Sequence, residues 1–82
     1  MSFDTKTKEL IAIGASVSTH CQPCLRFHVA KGKEAGLTDA EINAAILVGK
    51  TVGSGASNEM DKFSSEMMNV SFVSNPCGCQ SC

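Results

Sequence analysis

The sequence predicts a small all-α domain, and three observations carry that prediction. Apolar residues recur three and four apart along most of the chain. Helix start and stop signals punctuate them. The one stretch with strand-like character, Val70-Ser71-Phe72-Val73, is too short to make an element. At 82 residues the chain is a single domain, expected to carry about four helices. A chain of this size buries only about two-thirds of its unfolded surface. It has four Phe and no Trp or Tyr, yet 43% of its residues are hydrophobic. Small aliphatic residues and Met in that proportion suit closely packed helices and burial between subunits, so a homo-oligomer is expected.

Asp4 or Thr5 can cap a first helix, in which Leu10, Ile13, Gly14 and Val17 share a face; it is expected to end near Ser18–His20. Pro23 falls in the first turn of a second helix, where a missing N–H costs nothing. Leu25, Phe27, His28 and Val29 continue that helix, and Gly36 suits the position just past its end. Thr38 and Glu41 form a capping box, which opens a third helix through Ile42, Ala45, Ile46, Gly49, Val52 and Gly53. The Gly-Ser-Gly-Ala-Ser stretch at 53–57 reads as a break. Ser57 or Asn58 then starts a fourth helix bearing Met60, Phe63, Met67 and Val70. The helical domain is thus expected over residues 1–73, followed by a polar, Pro/Gly/Cys-rich tail over 74–82.

Several function classes are excluded by composition. A net charge of −1, with acidic and basic residues interspersed, offers no footprint for nucleic acid or a membrane surface. No apolar run approaches the roughly 18 residues of a spanning helix. Met1 leads into Ser-Phe-Asp-Thr-Lys without the basic and apolar regions of a signal peptide, so a cytoplasmic protein is expected. Ala44–Thr51 (AAILVGKT) matches a loose phosphate-loop pattern, but that loop needs a preceding strand and free backbone N–H groups. A helix launched by the capping box runs through the match, and the motif is rejected.

The chemistry-bearing residues lie in two clusters. His20-Cys21-Gln22-Pro23-Cys24-Leu25-Arg26-Phe27-His28 holds two thiols and two imidazoles in nine residues, and the C-terminus reads Cys77-Gly78-Cys79-Gln80-Ser81-Cys82. The five cysteines are odd in number and clustered, which in a cytoplasmic protein points to chemistry more than to a stapled fold. Cys21 and Cys24 share a face at the start of the second helix, where the partial positive charge of the helix end favours thiolate. His28 follows Cys24 by one turn and can exchange a proton with it. If the first two helices fold antiparallel about Thr19, Glu9 and His28 rise equally from the turn and come level. Glu9 lies on the line Glu9–Ile13–Ser16–His20 at the edge of the apolar face, where a carboxylate needs a partner. The spacing predicts a relay of Glu9, His28, Cys24 and Cys21. Each of these residues taken alone has a plainer structural explanation; three spacings converging on one point do not.

The pattern E-x11-C-x2-C-x3-H, here Glu9, Cys21, Cys24 and His28, resembles the signature of the AhpD-like alkylhydroperoxidases in the carboxymuconolactone decarboxylase superfamily. The likeness extends over roughly residues 5–55, including the Gly-Leu-Thr-Asp-Ala-Glu-Ile segment from Gly36. The resemblance implies an all-α oligomer whose cysteine pair cycles through a disulfide while reducing a peroxide or a disulfide, with Glu9 and His28 as the proton relay. That dithiol chemistry requires no cofactor, but it does require an electron donor. Many peroxidase members carry a His between the cysteines where this chain has Gln22-Pro23, with His20 just outside, which shifts the implied activity toward general thiol–disulfide exchange.

The tail lies outside that resemblance. Cys77, Cys79 and Cys82 can shuttle electrons by thiol exchange, or hold zinc or an iron–sulfur cluster, or belong to an unstructured end. The alternative function is accordingly a metal or iron–sulfur binding protein that uses the CxxC pair, the tail, or both.

Overall fold

The computed structural model describes residues 2–71, with side chains to residue 68, as an up-down-up arrangement of three helices. These are α1 (Thr5–Ser18), α2 (Gln22–Glu34) and α3 (Asp39–Ser71). The Cys-rich segment from Ser74 lies outside the described residues. No described helix is long and apolar enough to cross a membrane.

Contiguous residues set the helix ends. Asp4 is the N-cap of α1, and its carboxylate accepts the Thr7 N–H at 2.8 Å. Hydrogen bonds from the Thr7 side chain and then the Thr7 backbone hold the Asp4 carboxyl below its ordinary value. At the far end of α1 the Cys21 N–H reaches the Ser16 carbonyl at 2.9 Å and the His20 N–H reaches Val17 at 3.1 Å. This is a Schellman closure, and it holds His20 in the left-handed region at φ 58°, a position normally given to Gly. Gly36, at φ 99°, closes α2 in the same way, with the Leu37 N–H on the Gly32 carbonyl at 2.9 Å. Leu37 then folds back over Gly32, where an added Cβ would come within 2.7 Å of the leucine Cδ1. The capping box opens α3 as expected: Glu41 accepts the Thr38 N–H at 2.9 Å, and Thr38 Oγ1 accepts the Glu41 N–H at 3.1 Å.

Packing follows from these ends. Ile13, Leu37, Ile42 and Ala45 form the buried core, with Leu10, Leu25, Val29 and Ile46 against it. α1 contacts both other helices, running antiparallel to α2 and parallel to α3. Gly14 faces the Ala45 carbonyl and Gly49, and Ser18 faces Gly53. The approach at Gly49 is close enough that an added Cβ would collide with the Gly14 carbonyl oxygen and lie 2.9 Å from the Val17 Cβ.

The expected break at 53–57 does not exist, and there is no separate fourth helix among the described residues. α3 runs unbroken from Asp39 to Ser71. A helical glycine costs about 1 kcal/mol against Ala but does not by itself stop a helix. The stretch supplies neither a proline nor a left-handed glycine, since Gly36 is the only described glycine with positive φ. Gly49 and Gly53, four apart on one face as close approach of a neighbouring helix requires, form the flat surface on which α1 lies. Beyond Gly53, α3 outruns α1, and Met60, Phe63 and Met67 are 53–61% exposed. The molecule is accordingly elongated, about 52 × 23 × 22 Å.

Candidate active site

The α1–α2 turn builds the site. Cys21 belongs to both helices: its N–H completes the closure of α1, and it is the N-cap of α2. It makes no side-chain capping bond, so its sulfur is not committed to the backbone. Pro23 occupies the first turn of α2, and the Leu25 N–H returns to the Cys21 carbonyl at 3.0 Å. Three residues along a helical start bring Cys24 beside Cys21, with their Cα atoms 5.2 Å apart, and the two are joined as a disulfide. Cys24 is exposed and Cys21 half-buried, so the pair lies at the surface where a second molecule can reach it.

Glu9 and His28 meet one layer inward. His28 Nδ1 lies 2.7 Å from Glu9 Oε1, as equal rise from the Thr19 turn requires of two antiparallel helices. Glu9 is only 4% exposed. A carboxylate so placed needs compensation, and the imidazole supplies it; Lys8, at 3.9 Å from Oε2, is half-exposed and adds little. With a carboxylate as acceptor, Nδ1 donates, which leaves Nε2 of a neutral ring as an acceptor. The Phe27 ring meets the His28 ring edge-on, centroids 5.1 Å apart. Ser16, also buried, is satisfied within α1 through the Ala12 carbonyl at 2.7 Å.

All four residues singled out by spacing thus lie around one turn: Cys21 and Cys24 bonded to each other, Glu9 bonded to His28, and His28 one helical turn after Cys24. His20 takes no part in the Glu9–His28 hydrogen bond. It lines a groove of about 490 Å³ together with Val17 of α1 and Lys50, Ser54, Ser57 and Asn58 of α3. That placement was not legible in the sequence, because a histidine enters the left-handed region only rarely, though more often than most non-glycine residues. Among the described residues no group of three or more His, Cys, Asp and Glu side chains gathers to hold a metal ion. Cys77, Cys79 and Cys82 fall outside those residues.

No curated protein and no solved structure matches the chain. The sequence model of the carboxymuconolactone decarboxylase family, which includes decarboxylases and alkylhydroperoxidases, matches residues 2–61. That span contains the whole Glu9, Cys21, Cys24 and His28 constellation and the three-helix core. With well over half its length matched and an all-α fold of the AhpD-like kind, the chain belongs to the carboxymuconolactone decarboxylase family.

Proposed function

We propose that the chain is a thiol–disulfide oxidoreductase of the CxxC-containing branch of this family, reducing a peroxide or a disulfide with Cys21 and Cys24. The observation that carries this reading is the buried Glu9 carboxylate on His28 Nδ1 at 2.7 Å, one turn from a surface cysteine pair. A structural ion pair needs no dithiol beside it, and a structural disulfide needs no oriented imidazole.

In the reduced state the helix N-terminus favours a thiolate at the pair. That thiolate attacks one oxygen of a peroxide ROOH, forming a sulfenic acid and releasing ROH after protonation. The second thiol displaces the hydroxyl as water and closes the Cys21–Cys24 bond. Two electrons pass from the two sulfurs to the peroxide. With a disulfide as oxidant, the same pair of attacks releases two thiols. His28 Nε2 takes the thiol proton and returns it to the leaving group, while Glu9 holds the ring and balances its charge when it is protonated. An external dithiol reopens the disulfide and restores both protons.

Replacing Cys21 or Cys24 by Ser should each abolish peroxide or disulfide turnover driven by a dithiol reductant; activity retained in both variants would discard the proposal. Glu9→Gln keeps the shape of the site but removes the charge, and should lower turnover by roughly 100-fold while altering its pH profile. An unchanged pH–rate curve would remove Glu9 from the mechanism.

A further inference from the structure

The groove of about 490 Å³ beside the disulfide turn has no part in the mechanism above. Val17 and His20 line it from the end of α1, and Lys50, Ser54, Ser57 and Asn58 line it from α3. At 3.6 residues per turn, Lys50, Ser54 and Ser57 fall within an arc of about 60°, to one side of the apolar stripe of Met60, Phe63 and Met67. We propose that this groove holds a carboxylate of the substrate, carried on a short apolar stem from the bond that Cys21 and Cys24 reduce. The inference rests on the redox reading and adds to it the chemical class of the substrate.

Three observations carry it. The first is a set of uncommitted donors. Among the described residues Lys50 pairs with no carboxylate, whereas Lys8, Lys31 and Lys62 each do. Ser18 and Thr51 bond back to carbonyls of their own helices at 3.0 and 2.9 Å, but the side chains of Ser54, Ser57 and Asn58 make no hydrogen bond within the described residues. No acidic residue lines the groove, so its fixed charge is the Lys50 ammonium. One ammonium among neutral hydroxyl and amide donors suits a group of single negative charge. The α3 backbone N–H groups here lie inside a helix and are already bonded, so the groove lacks the free amides that a phosphate takes.

The second is His20. Its φ of 58° is one that glycine adopts without strain, yet the chain places a histidine there, and that residue walls the groove. The third is reach. His20 adjoins Cys21, whose Cα lies 5.2 Å from that of Cys24, so the His20 Cα stands within about 9 Å of both cysteine Cα atoms. A stem of about four carbons and the extended Lys50 side chain close a span of that size between them. Val17 and the unsubstituted Gly49 and Gly53, which also line the groove, leave room for the stem.

The test compares dithiodibutyrate with its diamide, which shares the stem and the sulfurs and differs in charge. Each is added to the reduced full chain, free thiols are alkylated at intervals, and the tryptic peptide from Glu9 to Arg26 is weighed; it carries Cys21 and Cys24 and none of the tail cysteines. The net charge of −1 disfavours the diacid slightly, so a preference for it is local. Below saturation the diacid should close the Cys21–Cys24 bond at least about tenfold faster than the diamide. Lys50→Gln should bring that ratio below about twofold, and Lys50→Arg should keep most of it. Equal rates in wild type, or a wild-type ratio in Lys50→Gln, would overturn the proposal.

Binding is read separately with thiodibutyrate, a thioether that cannot exchange. It should move the ring-proton resonances of His20, identified by their loss in His20→Gly, and should move them far less in Lys50→Gln. No movement in wild type, or equal movement in both, would also overturn the proposal. The two readouts separate this inference from the one beneath it. If neither disulfide oxidises the pair while thiodibutyrate still binds through Lys50, the redox reading fails and the anion site stands. If both oxidise it equally and thiodibutyrate leaves His20 unmoved, the site fails and the redox reading stands.

Discussion

Two alanine substitutions in the same helix should move stability in opposite directions. At Gly55 an added Cβ meets nothing within 4 Å, and the site lies off the apolar stripe. Gly55→Ala should therefore gain the full helix-propensity difference, about 1 kcal/mol. At Gly49 the same gain is opposed by a collision. The new Cβ would strike the Gly14 carbonyl oxygen and lie 2.9 Å from the Val17 Cβ and 3.1 Å from the Gly14 carbonyl carbon. Two of those contacts are backbone, which cannot swing aside as a side-chain tip can, so α1 and α3 must separate. Overpacking of this kind costs about 1–3 kcal/mol, and here the upper end applies. The net loss for Gly49→Ala is then about 1–2 kcal/mol. For a domain of this size the two variants should differ in Tm by roughly 10–20 °C. Thermal unfolding followed by circular dichroism at 222 nm, at one fixed protein concentration, measures both. A destabilised Gly55→Ala would refute the continuous helix through residues 53–57, since it would mean that Gly55 holds a conformation alanine dislikes. A stabilised Gly49→Ala would refute the close α1–α3 contact on which the core depends.

Other outcomes follow from the ends of α1 and from the cysteines. The Asp4 carboxyl is held below its ordinary value of 3.8 in the folded chain, so its contribution is present above that pH and is lost as pH falls through the folded value. Asp4→Asn should accordingly be less stable than wild type at pH 7, and the difference should shrink in acid unfolding series as the pH falls below 3.8 and through the folded value; a constant gap would contradict the charge-based account. His20→Gly should fold normally and gain up to about 1 kcal/mol, because glycine adopts the left-handed closure of α1 without strain. A clear loss of stability would show that the His20 side chain itself holds the turn. Protein purified without oxygen should turn over with no metal bound and all five thiols titratable after reduction. Stoichiometric iron with sulfide would replace the dithiol enzyme by a cluster protein.

Much of the fold was legible because its signals are local. The Asp4 cap, the Thr38–Glu41 box, Pro23 in a first turn and Gly36 past a helix end each depend on a few contiguous residues and their backbone geometry. Glu9 opposite His28 was legible for a related reason: two helices leaving one tight turn rise at the same rate, so counting from Thr19 finds the pair. The close-approach face of Gly49 and Gly53 was legible from their spacing, but the continuity of the helix through 53–57 was not. A glycine in a helical pattern can end a helix or let another helix approach, and the choice between them is made by a distant residue, Gly14, through its contact with Gly49. The left-handed His20 was hidden for the same reason, since the closure of α1 imposes a conformation that histidine adopts only occasionally.

By itself, then, the sequence determined the helix starts, the reversal at Thr19 and the gathering of Cys21, Cys24, His28 and Glu9 around that reversal, because short-range hydrogen bonding and helical pitch decide all of these. Only the tertiary structure decided that α3 is continuous, how closely α1 lies on it, and that Met60, Phe63 and Met67 face away from the chain's own core. Those outcomes depend on which surfaces meet across the fold, and an apolar stripe encodes the need for a partner without encoding which partner meets it.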